Sequence, residues 1–287
     1  MTFNEWALAH EPAVRLSAFL GMFALMALWE TAAPRRARLL PRRVRWLPNL
    51  GLVVLNSLVL RLVFPLAGVG FALLAADRGW GLLNAFALPF WPAFIVSVIA
   101  LDFVIYLQHV MFHAVPLLWR LHRVHHADAD FDVTTGARFH TIEILLSMLI
   151  KFAVIAVLGA PAAAVLVFEV LLNATAMFNH ANLHLNVAVD RVLRRILVTP
   201  EMHRIHHSME VVETNSNFGF NLPWWDRLCG TYRDSARLPQ ESMAIGVKGL
   251  TGSDAAVRLT GLLALPFAAA GDGYAIGRTQ ESTDDAR

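Results

Sequence analysis

Ten of the twelve histidines of this chain fall into four short clusters between residues 109 and 207. Two clusters have the spacing H-x3-H and two have the spacing H-x2-H-H. In chain order the clusters are His109 and His113; His122, His125 and His126; His180 and His184; and His203, His206 and His207. The second half of this region repeats the pattern of the first half. If the two halves share one function, the fold must bring them together, and this requirement constrains the chain more than any other feature.

The spacing of the clusters has a physical reason on a helix. Residues i and i+4 lie one above the other, so His109 and His113 point the same way. The three histidines of each H-x2-H-H cluster share one narrow face, from which they reach one ion or bridge two. Imidazole suits Zn, Cu, Fe and Ni, and ten imidazoles exceed the four ligands of a tetrahedral zinc site. A lone buried histidine is usually a core residue, but four spaced clusters predict two metal ions with about five histidines each.

The composition indicates a membrane protein. The chain is 56% hydrophobic and 16% charged, with a mean hydropathy of +0.51, whereas soluble domains are about 25% charged. The net charge of +2 is too small to indicate nucleic-acid binding, so we expect no nucleic-acid partner. The single cysteine, Cys229, excludes an internal disulfide and any C-x2-C motif.

The apolar runs predict an all-α membrane protein. Its fold class is a transmembrane helix bundle of about three spans plus a same-side helical hairpin, with a cytoplasmic histidine-rich helical cap. The spans cover about 12–29, 50–75 and 88–112. We expect three regions: 1–90 with the spans and a basic cytoplasmic loop at 34–46, a catalytic domain at 91–238, and a C-terminal tail at 239–287 that is disordered after Ile276. The six arginines of 34–46 place that loop in the cytoplasm by the positive-inside rule.

The side of the membrane constrains the long apolar stretch 142–178. Spans two and three leave and return, which places 109–126 on the cytoplasmic side. A single crossing by 142–178 would put the second histidine half on the opposite side. A break at Gly159-Ala160-Pro161 favours two helices that enter and leave by the same face, and this returns His180 and His184 to the other histidines.

Several polar residues interrupt the apolar helices, where charge is costly and often functional. Asp102 lies seven residues before His109 and could accept a hydrogen bond from a metal-binding histidine, or serve helix packing equally well. Glu169 and Asn173 carry the same ambiguity, and Lys151 could extend its ammonium group to the membrane surface. The apolar run 259–270 is too short to span, so it lies on the membrane or packs on the cap.

These motifs together resemble the fatty acid hydroxylase/sterol desaturase superfamily of integral membrane di-iron oxygenases. The resemblance covers roughly 95–235 and includes the four histidine clusters, Asn217-Phe-Gly, Trp225-Asp226-Arg227 and Arg138-Phe-His140-Thr-Ile-Glu143. In the last element Thr141 stands where many members have proline. The resemblance implies that the ten clustered histidines hold two metals. It also implies that His140, Asn217 and Asp226 lie near the site without being certain ligands.

The resemblance further implies the cofactors, the chemistry and the partners. Two iron ions would activate O2 and remove hydrogen from an unactivated C–H bond of a lipid in the bilayer, giving hydroxylation or desaturation. Electrons would come from a separate donor protein, because nothing in the chain resembles a nicotinamide or flavin fingerprint. Both outcomes stay open, as does the identity of the lipid.

Two other functions compete with this interpretation. A membrane zinc hydrolase would need an open coordination position and a nearby general base, and the H-E-x2-H motif is absent. A protein that binds or transports a metal or haem would carry polar residues along its spans and toward the midplane, whereas these histidines collect at one edge. Haem would need only one or two axial histidines.

Overall fold

The computed structural model describes residues 1–276 of the chain, and within that part all regular structure is helical. This confirms the predicted all-α class. The α-helices are α1 Phe3–Ala9, α2 Glu11–Ala32, α3 Arg42–Val63, α4 Gly68–Asp77, α5 Leu82–Ala85, α6 Phe90–Ala114, α7 Pro116–His126, α8 Thr141–Leu158, α9 Ala162–Asn179, α10 Val187–Leu193, α11 Pro200–His206, α12 Val211–Thr214, α13 Trp224–Cys229 and α14 Leu259–Ala264. The predicted disorder after Ile276 lies outside the described residues.

Five segments of the described part are long and apolar enough to cross a bilayer: α2, the stretch Arg42–Ala85, α6, α8 and α9. The second predicted span is not one helix. Its chain leaves α3 at Val63, passes through Phe64 in an extended conformation and begins α4 only at Gly68. Pro65 explains the break, because proline disfavours helical geometry in the residue before it and has no N–H to donate.

The stretch 142–178 forms two helices, α8 and α9, as the Gly-Ala-Pro break predicted. Gly159 ends α8 with a φ of +71°, a left-handed conformation that glycine adopts readily. A side chain there would also collide with the Trp80 carbonyl oxygen, 2.5 Å from an ideal Cβ. Helix α4 packs against both α8 and α9. Glu143 near the start of α8 and His180 after α9 both reach the histidine region, which agrees with the predicted hairpin.

Helix α9 is the central element of the bundle. It packs against α2, α4 and α6, and its start carries the buried run Ala162, Ala163 and Ala164. Small side chains allow neighbouring helices to approach closely, which is how membrane helices gain packing energy without a hydrophobic drive. The end of α9 is therefore fixed relative to α6, and both helices deliver histidines to the same place.

The basic stretch 34–46, predicted as a cytoplasmic loop, is helical from Arg42 onward. Arg42 begins α3, and Arg45 is fully buried in the cap. Its guanidinium binds Asp128 through Nε at 2.6 Å and Asp132 through Nη1 at 2.6 Å. Removing one partner of such a buried pair costs on the order of 3–5 kcal/mol. Arg45 therefore fastens the start of α3 to the loop that follows α7.

The C-terminal part of the described chain packs on the cap, which decides between the two placements expected for 259–270. Trp119 of α7 donates to the Gly271 carbonyl at 2.8 Å and stacks on Tyr274, with ring centroids 5.7 Å apart. Arg123 donates to the Ala268 carbonyl at 2.6 Å. These contacts cover the outer face of α7, whose inner face carries the histidines.

Candidate metal centre

Nine of the ten clustered histidines converge in two adjacent groups, and within each group the ring nitrogens lie within 4.8 Å of one another. Site 1 consists of His109, His113, His122, His126 and His206. Site 2 consists of His125, His180, His203 and His207. All nine are buried. The two sequence halves therefore meet, as their repeated pattern required.

Each H-x2-H-H cluster serves both sites. On α7, His122 and His126 belong to site 1, while His125 belongs to site 2. In the second cluster His203 and His207 belong to site 2 and His206 to site 1. The two members at i and i+4 share a site, and the remaining member turns to the other one. The sites are close together, since the stacked rings of His126 and His207 have centroids 4.4 Å apart.

The protonation of His109 and His122 is fixed by their outer nitrogens. His109 Nδ1 lies 2.7 Å from the Phe218 carbonyl oxygen, and because that oxygen only accepts, Nδ1 carries the proton. His122 Nδ1 lies 2.6 Å from Glu143 Oε1 and donates to it in the same way. Their two Nε2 atoms face each other at 3.0 Å. In the neutral rings both carry lone pairs, so a cation between them would satisfy both.

The other close nitrogen pairs fit the same interpretation. His113 Nε2 lies 3.2 Å from His126 Nε2 in site 1, and His180 Nε2 lies 3.1 Å from His125 Nε2 and 3.0 Å from His203 Nε2 in site 2. Two nitrogens bound to one ion at about 2.0–2.1 Å lie roughly 3 Å apart when nearly at right angles. The donor set therefore fits a metal ion in each site.

One loop orients three ligands of site 1. Its acceptors are Asn215 Oδ1, 3.1 Å from His113 Nδ1; the Ser216 carbonyl, 2.7 Å from His206 Nδ1; and the Phe218 carbonyl of the His109 contact. Such outer bonds fix the tautomer and orientation of a metal-binding imidazole. Asn217-Phe-Gly was part of the family resemblance, but two of the three acceptors in this loop are backbone carbonyls, which no side-chain pattern reveals.

Asn217 and Asp226 hold this loop in place and do not touch the histidines. Asn217 has a φ of +55° and donates to the Met202 carbonyl at 3.0 Å. Asp226 accepts from the backbone N–H groups of Phe218 at 2.7 Å and Gly219 at 2.8 Å. Asp226 therefore acts on His109 through the position of the Phe218 carbonyl.

The Arg138-Phe-His140-Thr-Ile-Glu143 element contributes three different contacts. Glu143 orients His122, as described above. The Arg138 guanidinium is fully buried and donates to the Val124 carbonyl of α7 at 2.8 Å. His140 belongs to neither site; its Nδ1 accepts from the Ile142 N–H at 3.2 Å and caps α8. Glu143 was included in the family resemblance without a role, and in the structure it is the residue of this element that contacts a site histidine.

Two predicted residues lie elsewhere. His184 is exposed and belongs to neither site. The i, i+4 argument fails there because α9 ends at Asn179, and residues 182–184 pair with 33–36 through bonds such as His184 N–H to the Ala33 carbonyl at 2.9 Å. Asp102 does not reach a histidine; its Oδ2 accepts from Trp225 Nε1 at 2.7 Å.

Burial favours the neutral form of several cap histidines. It lowers the pKa of His180 to about 3, and the neighbouring imidazole of His122 lowers it further. Burial, followed by the charges of adjacent rings, lowers the pKa of five further histidines well below the ordinary value: His125, His126, His203, His206 and His207. Neutral imidazole is the form that binds a metal, so the ligands need no deprotonation near neutral pH.

An apolar cavity of about 270 Å³ ends at site 1, where His109 and His122 form part of its wall. The rings of Phe112 and Phe139 lie near His122, with centroids 5.9 and 6.2 Å from its ring, and Leu172 of α9 also lines the cavity. The cavity lies among helices that are long and apolar enough to cross a bilayer. A ligand that reaches site 1 by this route passes mostly apolar side chains.

A membrane-length helix bundle that encloses two histidine groups able to hold metal ions defines an integral membrane metal-site protein. Residues 94–231 match the fatty acid hydroxylase family model. Over this region, which includes both histidine sites, the chain is similar to the fatty acid hydroxylase family.

Curated relatives share this region. The ornithine lipid hydroxylase OlsE of Rhizobium tropici is 31% identical over 196 residues, which cover 66% of this chain and 56% of that protein. The alkylglycerol monooxygenase of Xenopus tropicalis is 30% identical over 138 residues, covering 48% of this chain and 30% of that protein. The human alkylglycerol monooxygenase is 28% identical over 137 residues, covering 47% and 29%. The chain thus spans little more than half of the first relative and about 30% of the others. No solved structure matches the chain.

Proposed function

We propose that this protein is a membrane di-iron monooxygenase that hydroxylates a C–H bond of a lipid, with O2 as co-substrate and electrons from a separate donor protein. The observation that carries the proposal is the position of site 1. Two of its imidazoles border an apolar cavity among membrane-length helices, so a lipid chain could reach the metals without leaving an apolar environment.

The contacts of each residue near the two sites suggest its role in the reaction. Site 1 and site 2 would each hold one iron, and when bound the pair would supply activation of O2 and removal of hydrogen from the C–H bond. Glu143 and the 215–218 loop fix the imidazoles of site 1. Phe112 and Phe139 exclude water from the side of the cavity next to His122. The lining offers apolar contacts to an alkyl chain. The carbon that reacts is then the one that the bound chain places beside the metals.

The relatives favour hydroxylation over desaturation, because one is named a lipid hydroxylase and the other a monooxygenase. Their names mention an ornithine lipid and alkylglycerols, which share long alkyl chains attached to a polar end. We propose a substrate of this general kind. We also propose that 91–238 is the catalytic unit, that 1–90 supplies cavity walls through α2 and α3, and that 239–287 is a tail whose described part covers α7.

The zinc hydrolase is disfavoured by the surroundings of the ligands. Of the carboxylates in residues 1–276, Glu143 is the one that hydrogen-bonds a site histidine, and its Oε1 is engaged by His122 Nδ1. A transport protein is disfavoured because the nine histidines are enclosed together and do not follow the length of the spans.

Metal analysis and labelled O2 test the proposal together. Protein purified with its metals should contain about two irons per chain, and lipids of cells that express it should gain one oxygen from ¹⁸O2 relative to cells that lack it. Purified protein with its metals intact that contains zinc and no iron would contradict the proposal. A loss of two hydrogens without a gain of oxygen would instead support desaturation.

We propose that the histidine cap faces the cytoplasm, as the arginines of 34–46 favour. The single cysteine, Cys229, is exposed in the cap and gives a direct test. A membrane-impermeant maleimide should label Cys229 only after cells are opened, whereas a permeant maleimide should label it in intact cells. Labelling of intact cells by the impermeant reagent would place the cap on the opposite side.

A further inference from the structure

A cluster of charged residues lies among the membrane-length helices, away from both histidine sites. Glu169 of α9 is buried and binds two cations, Arg15 of α2 through Nη2 at 2.5 Å and Lys151 of α8 through Nζ at 2.6 Å. Arg15 also binds Glu11 through Nε at 2.8 Å. The ammonium group of Lys151 is therefore bound to Glu169 within the bundle. Charges inside a bilayer are costly and usually mark a functional place, yet the metal sites do not use this cluster.

The cavities beside the cluster adjoin the cavity that ends at site 1, and together these adjoining cavities are called the passage below. Neighbouring cavities share walls: the one that reaches His109 and the ones that reach Arg15 are lined by common residues of α3 and α9. The shared residues of α3, Val53, Ser57 and Leu60, fall at helical spacing on one face, and those of α9 are the consecutive residues Leu172 and Asn173. From Glu169 to the end of α9 at Asn179 the helix rises about 15 Å. An extended chain covers that length in roughly 12 bonds.

The cluster presents N–H donors that suit a negatively charged ligand. Both carboxylate oxygens of Glu169 are engaged, while Arg15 Nη1 and the remaining hydrogens of Lys151 have no acceptor recorded within residues 1–276. Arg61 borders the same cavity and is exposed. Three cations and the two carboxylates Glu11 and Glu169 leave one positive charge in excess.

We propose that the Arg15, Lys151 and Arg61 end of this passage binds the negatively charged polar end of the lipid substrate, a carboxylate or a phosphate. The alkyl chain then lies along α3 and α9, with its reacting carbon beside His109 and His122. This assignment rests on the proposed function in naming the bound molecule as the substrate. Arginine and lysine donors suit both anions, because each presents several N–H groups to the acceptor oxygens.

The test compares single-chain amphiphiles that differ only in their polar end. Hexadecyl phosphate, hexadecanoate, hexadecanol and hexadecyltrimethylammonium each have a chain longer than the passage. Their binding to the full-length, metal-loaded protein in a neutral detergent is measured by calorimetry. The wild type should bind at least one anion about 10-fold more tightly than hexadecanol, and the cationic amphiphile most weakly. A preference for one anion over the other identifies carboxylate or phosphate as the better fit.

The variants are Arg61→Gln and Lys151→Gln, with Arg78→Gln as the matched control. Arg78 is also an exposed arginine of the N-terminal region, and it does not line these cavities. Arg61→Gln and Lys151→Gln should each reduce the preference for the anion several-fold, and Arg78→Gln should leave it unchanged. Lys151→Gln removes a partner of Glu169 and could impair folding, whereas Arg61→Gln breaks no ion pair recorded among residues 1–276.

Equal binding of hexadecanol and both anions by the wild type would overturn the proposal. So would a full anion preference in Arg61→Gln and Lys151→Gln protein that retains its metals and its thermal unfolding temperature. Binding can be measured without turnover. The site for the polar end and the proposed monooxygenase function can therefore be refuted independently. Iron and lipid oxidation without an anion preference would refute only the assignment of the polar end. An anion preference sensitive to Arg61→Gln in a protein that holds no iron would refute only the proposed chemistry.

Discussion

The imidazoles of site 1 are oriented by hydrogen bonds, whereas those of site 2 are held mainly by ring packing. In site 1, four of the five outer nitrogens have an acceptor, provided by Phe218, Asn215, Glu143 and Ser216. In site 2 only His180 has one, the Ala176 carbonyl at 2.7 Å. The buried Nδ1 atoms of His125, His203 and His207 have no partner among the described residues.

Aromatic rings pack against the imidazoles of both sites, since His113 of site 1 lies 4.9 Å from Trp119 between ring centroids, but site 2 has this packing largely without the acceptors. His125 stacks on Phe139 with ring centroids 4.5 Å apart and an interplanar angle of 11°, and Phe131 lies 5.0 Å from His207. Ring packing restricts the position of an imidazole but does not select which nitrogen carries the proton. Outer hydrogen bonds do both and raise ligand basicity. The difference teaches that two sites with the same ligand type can hold their metals with different strength, and we expect site 1 to be the stronger.

The largest expected effect comes from removing a ligand. His206→Ala in site 1 and His125→Ala in site 2 should each abolish lipid oxidation and lower the iron content, because each removes a buried nitrogen from its ion. The matched control is His184→Ala, which removes an exposed histidine outside both sites and should leave iron and turnover near wild type. Elemental analysis and product formation measure both quantities. Loss of iron in His184→Ala protein would show that His184 is a metal ligand after all.

Glu143→Gln addresses the strongest outer bond of site 1. The change keeps the size of the side chain but removes the negative charge that accepts from His122 Nδ1. We expect a loss on the order of 10- to 100-fold in iron affinity or turnover. Glu210→Gln, which alters an exposed glutamate, is the control. Wild-type iron affinity and turnover in Glu143→Gln protein would contradict a role for this bond.

Chelation compares the sites directly. Because outer bonds of this kind contribute about 10-fold or more to metal affinity, a chelator titration of the wild type should remove metal from site 2 before site 1, in two steps. Iron content is followed together with the Mössbauer spectrum. The spectra of His206→Ala and His203→Ala protein, each with one damaged site, assign the steps. Loss of both metals in one step, or of site 1 first, would contradict the ranking.

The smallest effect is expected for Asp102→Asn. The sequence allowed Asp102 to support a histidine, but its Oδ2 binds Trp225 Nε1. The change weakens that bond and should cost roughly 1 kcal/mol of stability, with iron affinity unchanged. Thermal unfolding and elemental analysis separate the two. A 10-fold loss of iron affinity at an unchanged unfolding temperature would show that Asp102 acts on the metal centre after all.

Much of the site could be predicted because helical spacing is a local property. His109 and His113 both lie in site 1, since α6 continues to Ala114. The same rule fails for His184, because bonds from 33–36 to 182–184 replace the helix beyond Asn179. Arg45 shows the same limit. The sequence predicted only a basic cytoplasmic loop there, and nothing local reveals that Arg45 pairs with Asp128 and Asp132, more than eighty positions away.

The sequence by itself determined the helical membrane class, the break at Gly159 and the convergence of two histidine halves. Each follows from apolar length, glycine and proline chemistry, or the repeated spacing of ligands. Only the tertiary structure decided how the histidines divide between the sites and which residues orient them. Those features depend on backbone carbonyls such as that of Phe218 and on contacts between distant segments. A pattern of side chains does not encode them locally, because they arise only when α6, α7 and the 215–218 loop are packed together.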